Sequence, residues 1–386
     1  TADLPEGMYK AVEVEAPEKY DLSDSTYYFG IGTSREGKEG VKATWAQGIG
    51  GTGTDRINSV AATSDGGCIV GGDFWSNSID LGNGISLTNK SKSTTYSDGM
   101  IIKYNSIGKI EWVQGIGGEE YDFISSVAET SDGGYIVGGY FDSSRIDLGD
   151  GIILTSTFSD DGMLIKYDSE GKVEWAKVIG ERGSEFINSV VETSDGSYIV
   201  VGQFSSSSID LGNGVSLTNK GNYDGMIIKY SNSGEVKWAQ GIDGTGNDRA
   251  RSVTKCSNGG CIVGGYFDSS RIDLGDGIIL TSTFSDDGML IKYDAEGKVE
   301  WAKSIGGASN DCINSVAETS DGGYIVGGYF ESSSIDLGDG KSLTNGSNHY
   351  AGMIIKYNAE GKVEWAKSIG GVYKDCINSV AETSDG

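Results

Sequence analysis

Proline is nearly missing from this chain, at 2 of 386 residues against 62 glycines. That imbalance argues against a disordered linker, while glycine beside plentiful Tyr, Ile, Val, Ser and Thr suits many short strands joined by tight turns. Positive charge is also in short supply: the formal net charge is −26 at pH 7 and the pI is near 4.3. A phosphate backbone would be repelled, which excludes nucleic acid as a partner and leaves a cationic partner or plain solubility. The five cysteines, Cys68, Cys256, Cys261, Cys312 and Cys376, are too few and too uneven for a disulfide framework, and an odd count leaves one unpaired. Cys256 and Cys261 flank the turn SNGG, where they either bridge a hairpin or stand as buried free thiols. No apolar run reaches the roughly 18 residues that cross a membrane as a helix. The chain starts TADLPEG without Met, compatible with a removed signal peptide and equally with the choice of numbering.

Catalytic signatures are missing as well. The single histidine, His349, lies in the loop NGSNHYAG with no Ser or Cys beside it in a nucleophile motif. Zinc spacing, a phosphate loop and a dinucleotide fingerprint in a strand-to-helix context are absent, and the many G-x-G matches are turns. The expectation is a protein that is not an enzyme.

What the chain has is repetition. Residues 140–177 recur at 266–303 with one change, Ser169 against Ala295. Tryptophans at 45, 112, 175, 238, 301 and 365 extend the series, with spacings of 67, 63, 63, 63 and 64 residues. A period of that length is too long for most solenoid coils and fits a four-stranded propeller blade. In residues 313–371, INSVAETSD and GYIVGGYF form a hairpin of strands a and b, while AGMIIKYN and KVEWAKSIG form strands c and d. Neighbouring blades must stack face to face to bury both surfaces, which makes the tryptophans core residues. The fold class is therefore all-β, a single propeller over 1–386. Complete blades occupy 57–118, 124–180, 187–244, 250–307 and 313–371. Residues 377–386 read as a lone strand a, and MYKAVEVEA, STYYFGIGTSREG and VKATWAQGIG in residues 1–56 read as degenerate strands b, c and d. The two ends together predict a sixth, composite blade that closes the ring and leaves no open sheet edge.

The run GMIIKYNAEGKVEWAKSIGG, together with INSVAETSDGGYIVGGYF, resembles the SBBP β-propeller repeats of bacterial secreted and surface proteins. The resemblance covers about 330 residues from Val41 onward, and Kelch and quinoprotein propellers share the general plan. It implies a propeller and an extracellular or cell-surface location, and no particular chemistry. Six blades would be one fewer than the family name suggests.

In the a-b-c-d order, the a–b and c–d turns fall on one face and the longer, more varied b–c and d–a connections on the other, where function concentrates. Two acidic patterns lie on that face. Asp55, Asp122, Glu185, Asp248, Asp311 and Asp375 precede successive strands a and form a candidate ring at the channel mouth. Such a ring either attracts a hard cation such as calcium or fixes the turn into each strand. The D-L-G-(D/N)-G segments read as glycine turns, with Arg145 and Arg271 positioned to pair with their acids. His349, Tyr350, Lys374 and Arg251 depart from the repeat without forming a recognisable set. The expected function is a non-catalytic structural or adhesive surface module that binds a protein, a glycan or a neighbouring subunit. The competing reading is a calcium-dependent propeller hydrolase of the phosphatase or lactonase type.

Overall fold

Each repeat folds into a sheet because its apolar, β-branched and aromatic residues sit on strands short enough to be ended by Gly and Asp turns. The computed structural model describes residues 27–31, 43–91, 95–282, 285–338, 340–346, 349–371 and 373–383. Among these are five four-stranded antiparallel sheets, each in the order a, b, c, d, which is the propeller plan. In blade one the strands are Asp55–Ala62, Cys68–Phe74, Asp98–Tyr104 and Ile110–Ile116. Strand a opens blades two to five at Asp122–Glu129, Glu185–Glu192, Asp248–Lys255 and Asp311–Glu318. Strand b follows at Tyr135–Phe141, Tyr198–Phe204, Cys261–Phe267 and Tyr324–Phe330. Strand c is Asp161–Tyr167, Asp224–Tyr230, Asp287–Tyr293 and Ala351–Tyr357, and strand d is Val173–Ile179, Val236–Ile242, Val299–Ile305 and Val363–Ile369.

The core lies between blades. Ile69 and Ile101 of blade one pack with Ile124, Val127 and Val137 of blade two, and the same contact recurs down the series. Strand b makes it possible with a Gly-Gly pair. A side chain at Gly138 would collide with Ile187 of the next blade, and one at Gly139 with the Phe123 carbonyl of its own strand a. Blade three reads Val201-Gly202 instead, and the facing residue of blade four is Ala250 where the other blades have isoleucine. Volume moved across the interface rather than being added to it.

The K-Y and E-W letters of the repeat have an electrostatic reason. Lys103 on strand c is 1% exposed, and its ammonium meets Asp65 of the a–b turn at 2.7 Å and Glu111 of strand d at 3.1 Å. Lys166 and Lys356 are held in the same way, because a buried ammonium must be paired. The tryptophans are less buried than expected. They are half-covered at the blade rim, where Trp112 lies over Gly171 of the next c–d turn and donates to the Ser169 carbonyl. Gly171 has φ +79°, so both its backbone and its flat contact require glycine. The fully buried large side chains are instead Tyr104, Tyr167, Tyr198, Phe141 and their repeats.

The loops and the cysteines take definite forms. The b–c connection carries a small hairpin, Ser78–Gly82 with Ile85–Thr88 in blade one, and Asn83 at φ 55° supplies the turn that the D-L-G-N-G letters mark. Cys256 and Cys261 are both buried and free, so the open choice between bridge and thiols resolves to thiols.

At the ends, Tyr27–Ile31 pairs with Ala43–Gly48 as strands c and d would. Ile377 and Val380 lie on Gly327 of blade five, where the next strand a belongs. The Val380 amide donates to the Ser315 hydroxyl, as Val127 does to Ser59. Among the described residues no ladder joins 377–383 to another strand. Residues 8–16, the expected strand b of the closing blade, lie outside the described residues.

Candidate functional site at the mouth of the central cleft

A bulge in every strand a points one side chain at the central cleft. In blade two Ile124 pairs with Gly139 and Ser126 with Gly138, leaving Ser125 extra; the same slip isolates Asn58, Asn188, Arg251 and Asn314. Bulges re-aim side chains, and these five reach to the neighbouring strand a. Asn58 donates to the Ile124 carbonyl, Ser125 to that of Ile187, Asn188 to that of Ala250, and Asn314 to that of Ile377. Arg251 breaks the pattern by donating to the Asn314 side chain at 2.7 Å. A continuous polar seam thus binds the strands around the cleft.

The acids predicted to ring the channel mouth are bonded to the turns and loops beside strand a. Asp55, Asp122, Glu185, Asp248 and Asp311 are the first residues of strand a rather than the residues before it, and Asp375 lies in no described strand. Asp122 accepts from the Gly118 amide at 2.8 Å and the Ser143 hydroxyl at 2.7 Å, Asp55 from Gly51 and Ser76, and Asp248 from Gly244 and Ser269. Asp311 repeats this with Gly307 and Ser332, Glu185 with Glu181 and Ser206, and Asp375 with Gly371. These carboxylates fix the d–a turn to the start of the b–c loop. Burial pushes Asp122 and Asp248 up to about 7. A second acidic set, which the sequence reading passed over, opens strand c: Asp98, Asp161, Asp224 and Asp287, each raised to about 6 by burial. Asp98 raises Asp122 across the blade interface, and Asp224 raises Asp248. Blade five has Ala351 there. Among the described residues no group of three or more His, Cys, Asp or Glu side chains could hold a metal ion.

Arg145 and Arg271 pair with Asp147 at 3.2 Å and Asp273 at 2.7 Å on the exposed outer loops, away from the cleft. His349 is exposed, and its carbonyl accepts from the Asn345 side chain. Tyr350 is different: its ring packs on Tyr329 with centroids 4.8 Å apart, and the Lys374 ammonium lies 5.2 Å from its centroid.

That contact belongs to an arc of aromatic rings and cations around the mouth. Phe123 stacks on Tyr140 at 5.1 Å, and Tyr140 meets Phe186 edge-on at 4.8 Å. Arg249 lies over Tyr223 and Tyr266, Arg251 over Tyr266, and Arg56 over Trp75. Two cavities open here. One of about 400 Å³ is lined by Asn188, Gln203, Arg249, Arg251, Asn314 and Asn378. The other, of about 350 Å³, is lined by Arg56, Trp75, Tyr121, Phe123, Tyr140 and Phe186 with Ser97 and Asp160. A signal for this arc existed in the sequence. Blades two and four are nearly identical over strands b to d, yet their strands a read DFISSVAE and DRARSVTK. The differences include Phe123 against Arg249 and Ser125 against Arg251, two positions that line the cleft.

No protein-family model matches the chain, so the SBBP likeness rests on the motifs alone. Among curated proteins it is similar to an uncharacterized WD repeat-containing protein of Acanthamoeba polyphaga mimivirus, 22% identical over 445 residues, covering 93% of this chain and 32% of that protein. A shorter match, 28% identical over 111 residues, is to the regulatory protein FlaEY of Caulobacter vibrioides and covers 28% of this chain and 12% of that one. The chain thus spans at most a third of the length of these curated relatives. Among solved structures, a protein of unknown function from Bacteroides caccae is 12% identical with a TM-score of 0.42, covering 90% of this chain and 94% of that one. The propeller assignment rests on the sheet topology and the repeat, which the WD-repeat similarity accompanies.

Proposed function

We propose that this propeller is a non-catalytic binding module that engages a protein or glycan through the aromatic and arginine-rich mouth of its central cleft. One observation supports the reading above the others: between near-identical blades, the sequence departs from the repeat in strand a, at positions that meet in the cleft. A scaffold under packing constraint alone would keep those positions as uniform as the buried Lys103, Lys166 and Lys229. Half-buried aromatics with arginine, as found at this mouth, are the residue types that anchor interfaces. The proposed exported, adhesive setting rests on the likeness to secreted and surface repeats.

The test is a paired screen of peptide and glycan arrays with the wild-type protein and a Tyr140→Ala/Phe186→Ala variant. Ligands retained by the wild type should be lost by the variant. A ligand bound equally by both would place recognition elsewhere and end this reading.

A further inference from the structure

Blades two and four give an internal comparison at the mouth. Tyr140, Asp142 and Asp160 of blade two recur as Tyr266, Asp268 and Asp286 of blade four. In blade four the chain supplies cations for this group: Arg251 and Arg249 lie 4.8 Å and 5.8 Å from the Tyr266 ring centroid. Burial and Asp268 raise the Asp286 carboxyl, and both arginines lower it. In blade two the two arginine positions hold Phe123 and Ser125. The acids are the same and the cations are gone.

The cavity of about 350 Å³ lies in this sector, walled by the Phe123, Tyr140 and Phe186 rings and carrying Asp160. Asp160 sits at the blade-three end, where its carbonyl accepts from the Glu185 amide at 2.8 Å. Among the described residues no Lys or Arg forms an ion pair with its carboxylate. Arg56 also lines the cavity, from blade one, where it lies 5.0 Å from the Trp75 centroid and opposite Asp73 on the neighbouring strand. Arg182, on the turn from blade two to blade three, lies over Phe158 at 5.4 Å and does not line the cavity. Half-buried rings beside an acid with no counter-ion of its own make a seat for a cation, because the ring faces attract the charge and the carboxylate takes the N–H groups.

We propose that this cavity receives an arginine side chain of a partner polypeptide, its guanidinium against the Phe123, Tyr140 and Phe186 rings and bonded to the Asp160 carboxylate. The proposal rests on the mouth being the binding site and names what its blade-two sector takes. Arginine rather than lysine follows from the chain's own contacts at the mouth, where Arg56, Arg249 and Arg251 lie on rings. A planar guanidinium stacks on an aromatic face while its fork reaches an oxygen. Asp142, whose carboxyl is raised by burial and by Asp160, adds to the negative field at the rim.

Saturation-transfer NMR of the full chain with the peptide acetyl-Gly-Arg-Gly-amide tests this, with its citrulline and lysine counterparts and cellotriose as parallel arms. Saturable binding of the arginine peptide in the millimolar range or tighter is expected. The neutral citrulline peptide should bind about tenfold more weakly and the lysine peptide about threefold more weakly. Asp160→Asn should weaken the arginine peptide by about tenfold, and Asp147→Asn on the outer loop should leave it unchanged. The Phe123→Arg/Ser125→Arg variant gives blade two the two cations of blade four, an arrangement that the fold already carries, and should lose the peptide. No saturable binding, a citrulline or lysine peptide held as tightly, or affinity unchanged in Asp160→Asn would overturn the assignment, and tighter cellotriose would make the sector a glycan site instead. If array ligands are lost in the Tyr140→Ala/Phe186→Ala variant but kept by Phe123→Arg/Ser125→Arg, the arginine proposal fails while the mouth remains the site.

Discussion

Asp248 shows how one side chain can look like a ligand and serve as a brace. It takes the Gly244 amide, the Ser269 amide and the Ser269 hydroxyl, all at the junction of two loops. Asp248→Ala strands these donors in a buried place and should cost about 2–3 kcal/mol in chemical denaturation, with Asp248→Asn costing less. The repeated carboxylates are engaged in this way around the series, so added calcium at about 5 mM should leave the melting midpoint unchanged. A calcium-dependent rise reversed by chelator would restore the cation reading of the ring. Sequence alone marked the acids but not their direction, because a turn-fixing and a metal-binding carboxylate carry the same letter.

At the scale of elements, the blade interface can be tested through its one substituted pair. Ala250→Ile forces a branched side chain against Val201 and should destabilise by about 1–3 kcal/mol. Adding Val201→Gly restores the arrangement of the other interfaces and should recover most of that loss, a coupling that a double-mutant cycle measures. Strands, turns and blade boundaries were legible because a period near 63 residues and the Trp, K-Y and Gly-Gly letters recur with little decay. Two things were not. The outer hairpin is only two to five residues per strand and sits in a segment that reads as polar loop. The bulge at Ser125 and its counterparts is visible only once strand a is paired with the glycines of strand b. The tryptophans were assigned to the core because blades must stack face to face, whereas their contact with a glycine turn leaves one side at the rim. The ring closed by the two chain ends remains a proposal of the repeat pattern, supported by Ile377 and Val380 occupying the strand a position on blade five.

For the whole molecule, paired acids and net charge set a pH response of definite sign. Asp73, Asp98, Asp161, Asp224 and Asp287 are raised to about 6, and Asp122 and Asp248 to about 7, chiefly by burial. Folded-state values above the unfolded one mean that their contribution is complete only below about pH 4 and is lost as pH rises from there through about 6 to 7. Asp65, lowered to about 2 chiefly by its hydrogen bond from Lys103, and Asp195 and Asp321, also lowered, act in the opposite sense, and their contribution is lost as pH falls below about 4. The melting temperature should therefore climb as pH falls from about 7 to a maximum near pH 4 and drop again below it, as followed by calorimetry. A maximum at pH 7 or above would show that the buried acids are not strained when ionised.

The architecture was written into the repeat, and the site was written into its exceptions, spread over strands that meet only after the blades stack. The most direct measurement is hydrogen–deuterium exchange of the protein with and without the strongest ligand from the arrays. The account predicts slowed exchange at the start of strands a and the end of strands b, around residues 123–125, 186–188, 249–251 and 264–267, with the opposite face unaffected. Protection confined to the a–b and c–d turns, around 64–67 and 105–109, would contradict it.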